Sequence, residues 1–246
     1  MLVEQVLKRG AEVSLGDLPS LRRWFPVALD VAPLTLWWRY LGEHRFVEPF
    51  FQDSFALQDR QGRKVCRTPL CALEEFADGV APTAFIFHVS RCGSTLITQM
   101  LASLPSCIVI SEPPVLDAFF RLHHHQPARS GGIGTLRSLV AALGQRRSAE
   151  ERHLFVKFDS WHMPWMPLVR QAFPETPIVL LYRDPVQVLA SHRLQRGPQM
   201  VPGMVDTSLL RADASAIAPS DLDGYASKVL DAIFSEALRA LHGVCP

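Results

Sequence analysis

The chain has 246 residues, with 25 Lys plus Arg against 24 Asp plus Glu, so no charge excess points to nucleic acid or an anionic membrane as partner. A chain of this length buries roughly 70–75% of its unfolded surface and needs no staples. Its five cysteines, Cys66, Cys71, Cys92, Cys107 and Cys245, are an odd, scattered set without zinc-knuckle spacing, which predicts reduced thiols in a cytoplasm.

The first seventeen residues, MLVEQVLKRGAEVSLGD, carry charges at 4, 8, 9, 12 and 17 and no sustained apolar core, unlike a signal peptide or a membrane span. No apolar run of about 18 residues occurs further on, so a soluble protein without a membrane span is expected. Residues 1–80 are aromatic-rich and irregular and read as a helical cap subdomain with one hairpin, docked on the rest through Trp24, Trp37, Trp38 and Phe50. An exposed aromatic surface for a partner is the other reading of those rings. DRQG at 59–62 reads as a turn, and CALEEFADG as a short helix ended by Gly79.

From 81 to 246, apolar strand-like runs alternate with segments of helical period, the pattern of a parallel sheet wrapped by helices. The expected strands are Ala84–Val89, Cys107–Ser111, Leu154–Asp159 and Ile178–Arg183. Leu96, Ile97, Met100, Leu101 and Leu104 fall at helical spacing, as do Leu136, Leu139, Val140 and Leu143. Pro105 and Pro174 stop two helices, and Asp184-Pro185 caps and starts another. Residues 196–220 form a long loop of weak periodicity, a candidate lid, before a last helix over Leu222–Leu241 ended at Gly243.

Two motifs carry the chemistry. HVSRCGST, residues 88–95, lies at the carboxyl end of the first strand of the parallel region and leads into a helix. Ligands of parallel α/β sheets collect there, and free helix-start amides favour an anion. Gly93 lets the backbone curl, Ser94 and Thr95 add hydroxyl donors, and Arg91 adds a fixed charge. A Walker loop would need Gly at 88 and Lys at 94, where this chain has His88 and Ser94, and only Asp159 offers an acidic strand end for magnesium. A metal-nucleotide kinase is therefore disfavoured. The second motif, YRDPVQVLAS, sets Arg183 before Asp-Pro and Ser191 eight positions after the arginine; an ordinary surface ion pair of Arg183 with Asp184 is its other reading.

Taken in order, the two motifs resemble those of the cytosolic-type and carbohydrate sulfotransferases, over roughly residues 84–195. The resemblance implies a three-layer α/β fold of the P-loop NTPase-like type, with a parallel central sheet and the N-terminal helical cap. It implies 3′-phosphoadenosine 5′-phosphosulfate (PAPS) as co-substrate, and no metal. It assigns the 5′-phosphosulfate to Arg91, Cys92, Gly93, Ser94 and Thr95, and the 3′-phosphate to Arg183 and Ser191. The implied reaction is in-line transfer of a sulfuryl group to a hydroxyl or amine of a small molecule, glycan or peptide, with Arg91 stabilising developing charge.

Glu112, directly after the strand CIVIS, is the first candidate for the base, as in some family members with a glutamate after the second strand; pairing with Arg91 or capping a helix is its alternative role. Asp159 and His162 are the other candidates. In VKFDSWH, Lys157 matches the lysine of the family's lysine-x-histidine segment, as a sulfonate contact or a structural strand-end lysine, whereas Asp159 stands where the histidine would be. The HHH run at 123–125 cannot converge on one ion from a helix and reads as a solvated helix end. Cys92 is expected to act through its backbone amide, although a thiol there would be acidic. The family continues past its last helix with a strand and a basic, glycine-containing loop, absent before Cys245-Pro246, so the expected core is truncated or closed by another segment. A small-molecule kinase with a degenerate phosphate loop and a non-catalytic nucleotide-binding module are the alternative functions.

Overall fold

A computed structural model describes residues 2–76, 78–212, 217–218 and 220–243. The N-terminal region opens with helix α1 (Leu2–Leu7) and strands β1 (Ala11–Glu12), β2 (Trp24–Val31) and β3 (Leu34–Tyr40), followed by helix α2 (Phe51–Ala56) and strand β4 (Lys64–Thr68). Here the structure corrects the sequence reading: the cap is a four-stranded sheet in the order β1-β4-β3-β2 with short helices on it, not a helical unit. β2 and β3 form the expected hairpin, but β3 also pairs antiparallel with β4, and β4 pairs parallel with β1. The first six residues of β2 are all buried, so both its faces are covered. Such a strand shows no alternation, and its period does not separate it from a buried helix. Residues 70–76 form a 3₁₀ turn.

The parallel region runs β5 (Pro82–His88), α3 (Ser94–Ala102), β6 (Cys107–Ser111), α4 (Pro114–His125), α5 (Pro127–Ser130), α6 (Gly132–Leu143), β7 (His153–Lys157), α7 (Met166–Ala172), β8 (Ile178–Leu181), α8 (Pro185–Leu194) and α9 (Leu222–His242). The four strands pair in parallel in the order β6-β7-β5-β8. The chain moves from β5 to one side for β6 and β7, then crosses to the other side for β8. This makes the carboxyl end of β5 a topological switch point, where α/β sheets open a crevice for ligands. α4, α6 and α7 pack in a row, while α3 packs on β6. α4 and α6 also carry the N-terminal sheet through β2, so one continuous apolar core includes Phe25 and Trp38 as well as Phe85, Phe87 and Phe158.

α3 departs from the pattern its sequence suggests. Leu96 and Met100 are 67% and 64% exposed, and Leu104 just past the helix is 48% exposed, whereas Ser94, Thr98 and Ala102 face inward. The helical period is real, but the side the helix buries is its small, polar side. The long loop after α8 carries two 3₁₀ turns, at Pro198–Met200 and Thr207–Leu210; its residues 213–216 and 219, like Cys245-Pro246, lie outside the described residues.

Candidate functional site

Four strand ends meet at one edge of the parallel sheet. The ladder runs on past its strands: Val89 N–H donates to Leu181 O, Phe158 N–H to Ile86 O, and Glu112 N–H to Lys157 O at 2.8 Å. His88, Glu112, Lys157, Asp159 and the Arg183 segment thereby line a pocket of about 430 Å³ together with the 88–95 turn.

The turn has an unusual backbone. Ser90 (φ 75°), Arg91 (φ 50°) and Gly93 (φ 86°) all adopt positive φ. For Ser90 and Arg91 this costs about 1–2 kcal/mol each, a strain that persists only where the surroundings impose it. Successive amides in such a conformation form a concave nest for an anion. Gly93 is the N-cap of α3, and a Cβ there would meet nothing within 4 Å, so its role is conformational. Cys92 is half-buried, with Sγ 3.5 Å from Leu181 O. Burial raises its thiol pKa, but the adjacent His88 outweighs that and holds it below the ordinary value.

The second motif reaches the first. Asp184 caps α8, its carboxylate accepting from Gln187 N–H at 3.1 Å. Arg91 Nε donates to Ser191 Oγ at 2.8 Å, and Arg183 Nη1 donates to the Arg91 carbonyl at 3.3 Å. The Arg183 Nε donates to Gln187 rather than pairing with Asp184. Both arginines are exposed and line the pocket.

Glu112 sits in a left-handed conformation (φ 54°), which turns its side chain into the pocket. It neither pairs with Arg91 nor caps α4: its Oε1 lies 2.6 Å from Lys157 Nζ and 3.2 Å from His88 Nε2. Burial raises the Glu112 pKa, but the His88 hydrogen bond and the Lys157 charge outweigh it and hold the carboxyl down to about 2. Lys157 is 1% exposed, also reaches Thr95 Oγ1 at 3.3 Å, and lies over the Phe50 ring. Asp159 behaves oppositely. Burial, then the charges of Glu112 and Asp117, push its pKa well up, opposite to that of Glu112.

His162 is ruled out as a base by its bonds. Its Nδ1 accepts from Asp159 N–H at 3.3 Å and its Nε2 lies 2.9 Å from Asp117 Oδ1, closing a capping box with 1% of the side chain exposed. Trp161 lines the pocket, whereas Trp165 stacks on Phe120 in the interior. The three histidines of α4 diverge: His123 bonds Ser130, His124 lies edge-on to Trp165, and His125 meets Asp206.

Sequence reasoning missed one polar layer behind the turn. His192 Nδ1 accepts from Gly197 N–H at 3.2 Å, so Nε2 carries the proton and donates to Ser90 Oγ at 3.1 Å. Burial, then Arg91 and Arg196, keep His192 neutral by lowering its pKa to about 4. That tautomer cannot take a proton from Ser90, so the pair is no serine–histidine nucleophile. Gln199 Nε2 bonds both Ser90 Oγ and Ser160 Oγ, tying the 197–199 segment to the pocket floor. His192 follows Ser191 directly and was open to notice; Gln199, 109 residues from Ser90, carries no local signal.

No protein-family model matches the chain, and no curated protein or solved structure matches it.

Proposed function

We propose that the chain is a PAPS-dependent sulfotransferase, moving a sulfuryl group to a hydroxyl or amine of a small-molecule, glycan or peptide acceptor. The observation that carries this reading is the Arg91–Ser191 hydrogen bond with the Arg183–Arg91 contact beside it, which draws two anion-binding motifs, 100 residues apart, into one pocket. A ligand with phosphate groups at two ends suits such a double clamp, and planar guanidinium suits phosphate. The α/β fold, with its crevice at the β5 switch point, fits a P-loop-like core.

When bound, PAPS supplies the sulfuryl group and its leaving bridging oxygen. Around it, the turn amides with Ser94 and Thr95 would hold the 5′ end, and Arg183 and Ser191 the 3′-phosphate. Arg91 and Lys157 would supply positive charge to the group being transferred. Glu112 is ionised and so able to receive the acceptor's proton, though Lys157 makes it a weak base in the free protein. An ammonium drawn from Glu112 toward bound sulfonate would leave the carboxylate more basic, matching its proton affinity to the moment of transfer. The described cysteines are all free, and no helix among the described residues is long and apolar enough to cross a membrane; we place the activity in the cytoplasm.

The test is a thermal-shift titration with 3′-phosphoadenosine 5′-phosphate (PAP), against 5′-AMP and magnesium ATP. A rise in Tm with PAP, absent with AMP, is expected. A rise with magnesium ATP alone would overturn the reading in favour of a kinase.

A further inference from the structure

Lys157, Arg147 and Arg39 all bury their cationic side chains almost completely. Lys157 has Glu112 at 2.6 Å, and Arg147 has Glu151 at 2.8 Å. Arg39, 1% exposed, has no carboxylate within ion-pair distance among the described residues. Its Nε donates to Gln58 Oε1 at 3.0 Å and its Nη2 to Phe55 O at 3.1 Å, both neutral acceptors. The Nη1 group makes no hydrogen bond among the described residues. Burial, with Arg63 nearby, lowers the Arg39 pKa to about 10. The guanidinium also lies over the Phe55 ring, 5.4 Å from its centroid, and among the described residues no Arg39 nitrogen is both sealed from solvent and without a partner, so the Nη1 group is open to an anion in the cavity.

Arg39 forms part of the wall of a cavity of about 210 Å³ between α1 and α2. Half of the remaining wall is aliphatic: Val3 and Val6 of α1 are 44% and 41% exposed on its rim, with Leu7 and Ala56 beside them, and Phe55 adds an aromatic face. The ionisable groups facing it are Arg39, Arg63 and Asp53, two cations against one anion, and Asp53 forms no ion pair among the described residues.

We propose that this cavity is a binding site for a small carboxylic acid with an apolar tail, its carboxylate on Arg39 and its tail against Val3, Val6 and Leu7. The site is separate from the pocket at the sheet edge. A cavity of about 150 Å³ already accepts a six-carbon ring, so a tail of about six carbons is the size to test.

Hexanoate, hexan-1-ol and hexylamine are titrated into the full chain, read by Tm shift and by saturation transfer to the ligand's methyl protons. Hexanoate should bind saturably and at least about tenfold tighter than hexanol, the difference a charge-assisted hydrogen bond makes. Ala56→Trp, which fills the cavity and spares the Arg39 hydrogen bonds, should abolish binding, and Arg39→Gln should bring acid and alcohol level. Arg183→Ala should leave hexanoate binding unchanged, because the anion turn is not its site. Should Arg39→Gln fail to fold, Ala56→Trp decides. Equal binding of acid and alcohol, preference for hexylamine through Asp53, retention in Ala56→Trp, or loss in Arg183→Ala would each overturn the proposal.

Discussion

Arg91 Nε donates to Ser191 Oγ across 2.8 Å, joining the turn after β5 to the helix after β8. Neither residue has a structural need for the other: Arg91 is exposed, and α8 is already capped by Asp184. The contact holds a guanidinium in place at a pocket that both residues line.

Binding of PAP should therefore depend on the second motif. Ser191→Ala and Arg183→Ala should each weaken it by about tenfold to a hundredfold, the range for a hydrogen bond to a charged group. Calorimetric titration checks this, with 5′-AMP affected much less than the bisphosphate. Unchanged PAP affinity in both variants would remove Arg183 and Ser191 from the site.

Glu112 and Lys157 are interdependent. Glu112→Gln leaves Lys157 buried without its carboxylate and should cost about 3–5 kcal/mol in urea unfolding. The double variant Glu112→Gln, Lys157→Met should recover part of that loss, because the orphaned charge is gone. If the single variant folds and its PAP shift persists while turnover disappears, the proton-accepting role of Glu112 stands. Retained turnover would move that role to Asp159.

Asp159 should be replaceable with a gain. Asn keeps the capping oxygen and removes a carboxyl whose ionised form the fold disfavours. In the wild type, unfolding at neutral pH relieves the cost of ionising that carboxyl, which favours the unfolded chain. Asp159→Asn should thus raise the urea midpoint at pH 7, and the gain should vanish below pH 3.8, where both states hold the proton.

Acid should unfold the protein in two stages. His192 is neutral in the fold, its pKa lowered from 6.5 to about 4, so its contribution is complete above 6.5 and lost as pH falls toward 4. Glu112 and Asp117, both held down to about 2 from 4.5 and 3.8, lose theirs at lower pH. His192→Gln should flatten the first stage of the stability–pH curve and leave the second. A first stage unchanged in that variant would assign it to another group.

Gly93→Ala should destabilise the chain by about 1–2 kcal/mol through its φ of 86° alone, since space for the methyl is free. Chemical denaturation measures it, and a neutral outcome would mean the turn can relax to another backbone path.

By itself the sequence determined what local hydrogen bonds and short periods encode. The strand Cys107–Ser111 has the bounds its apolar run predicts, α8 starts at Asp184-Pro185, and α9 ends against Gly243 as its last residues require. The alternation of strand and helix from β5 to α8 established a parallel α/β region, and the turn's glycine and polar residues fall at its first strand end, as read. Only the tertiary structure decided that the N-terminal region is a sheet, because a strand covered on both faces loses its period of two. It also decided which face of α3 is buried, and that Glu112 is clamped by Lys157 and His88 rather than by Arg91. The layer of Ser90, His192 and Gln199 belongs to the same class. These contacts join residues 24 to 109 positions apart, and only the packing of the whole chain brings such groups within hydrogen-bond range.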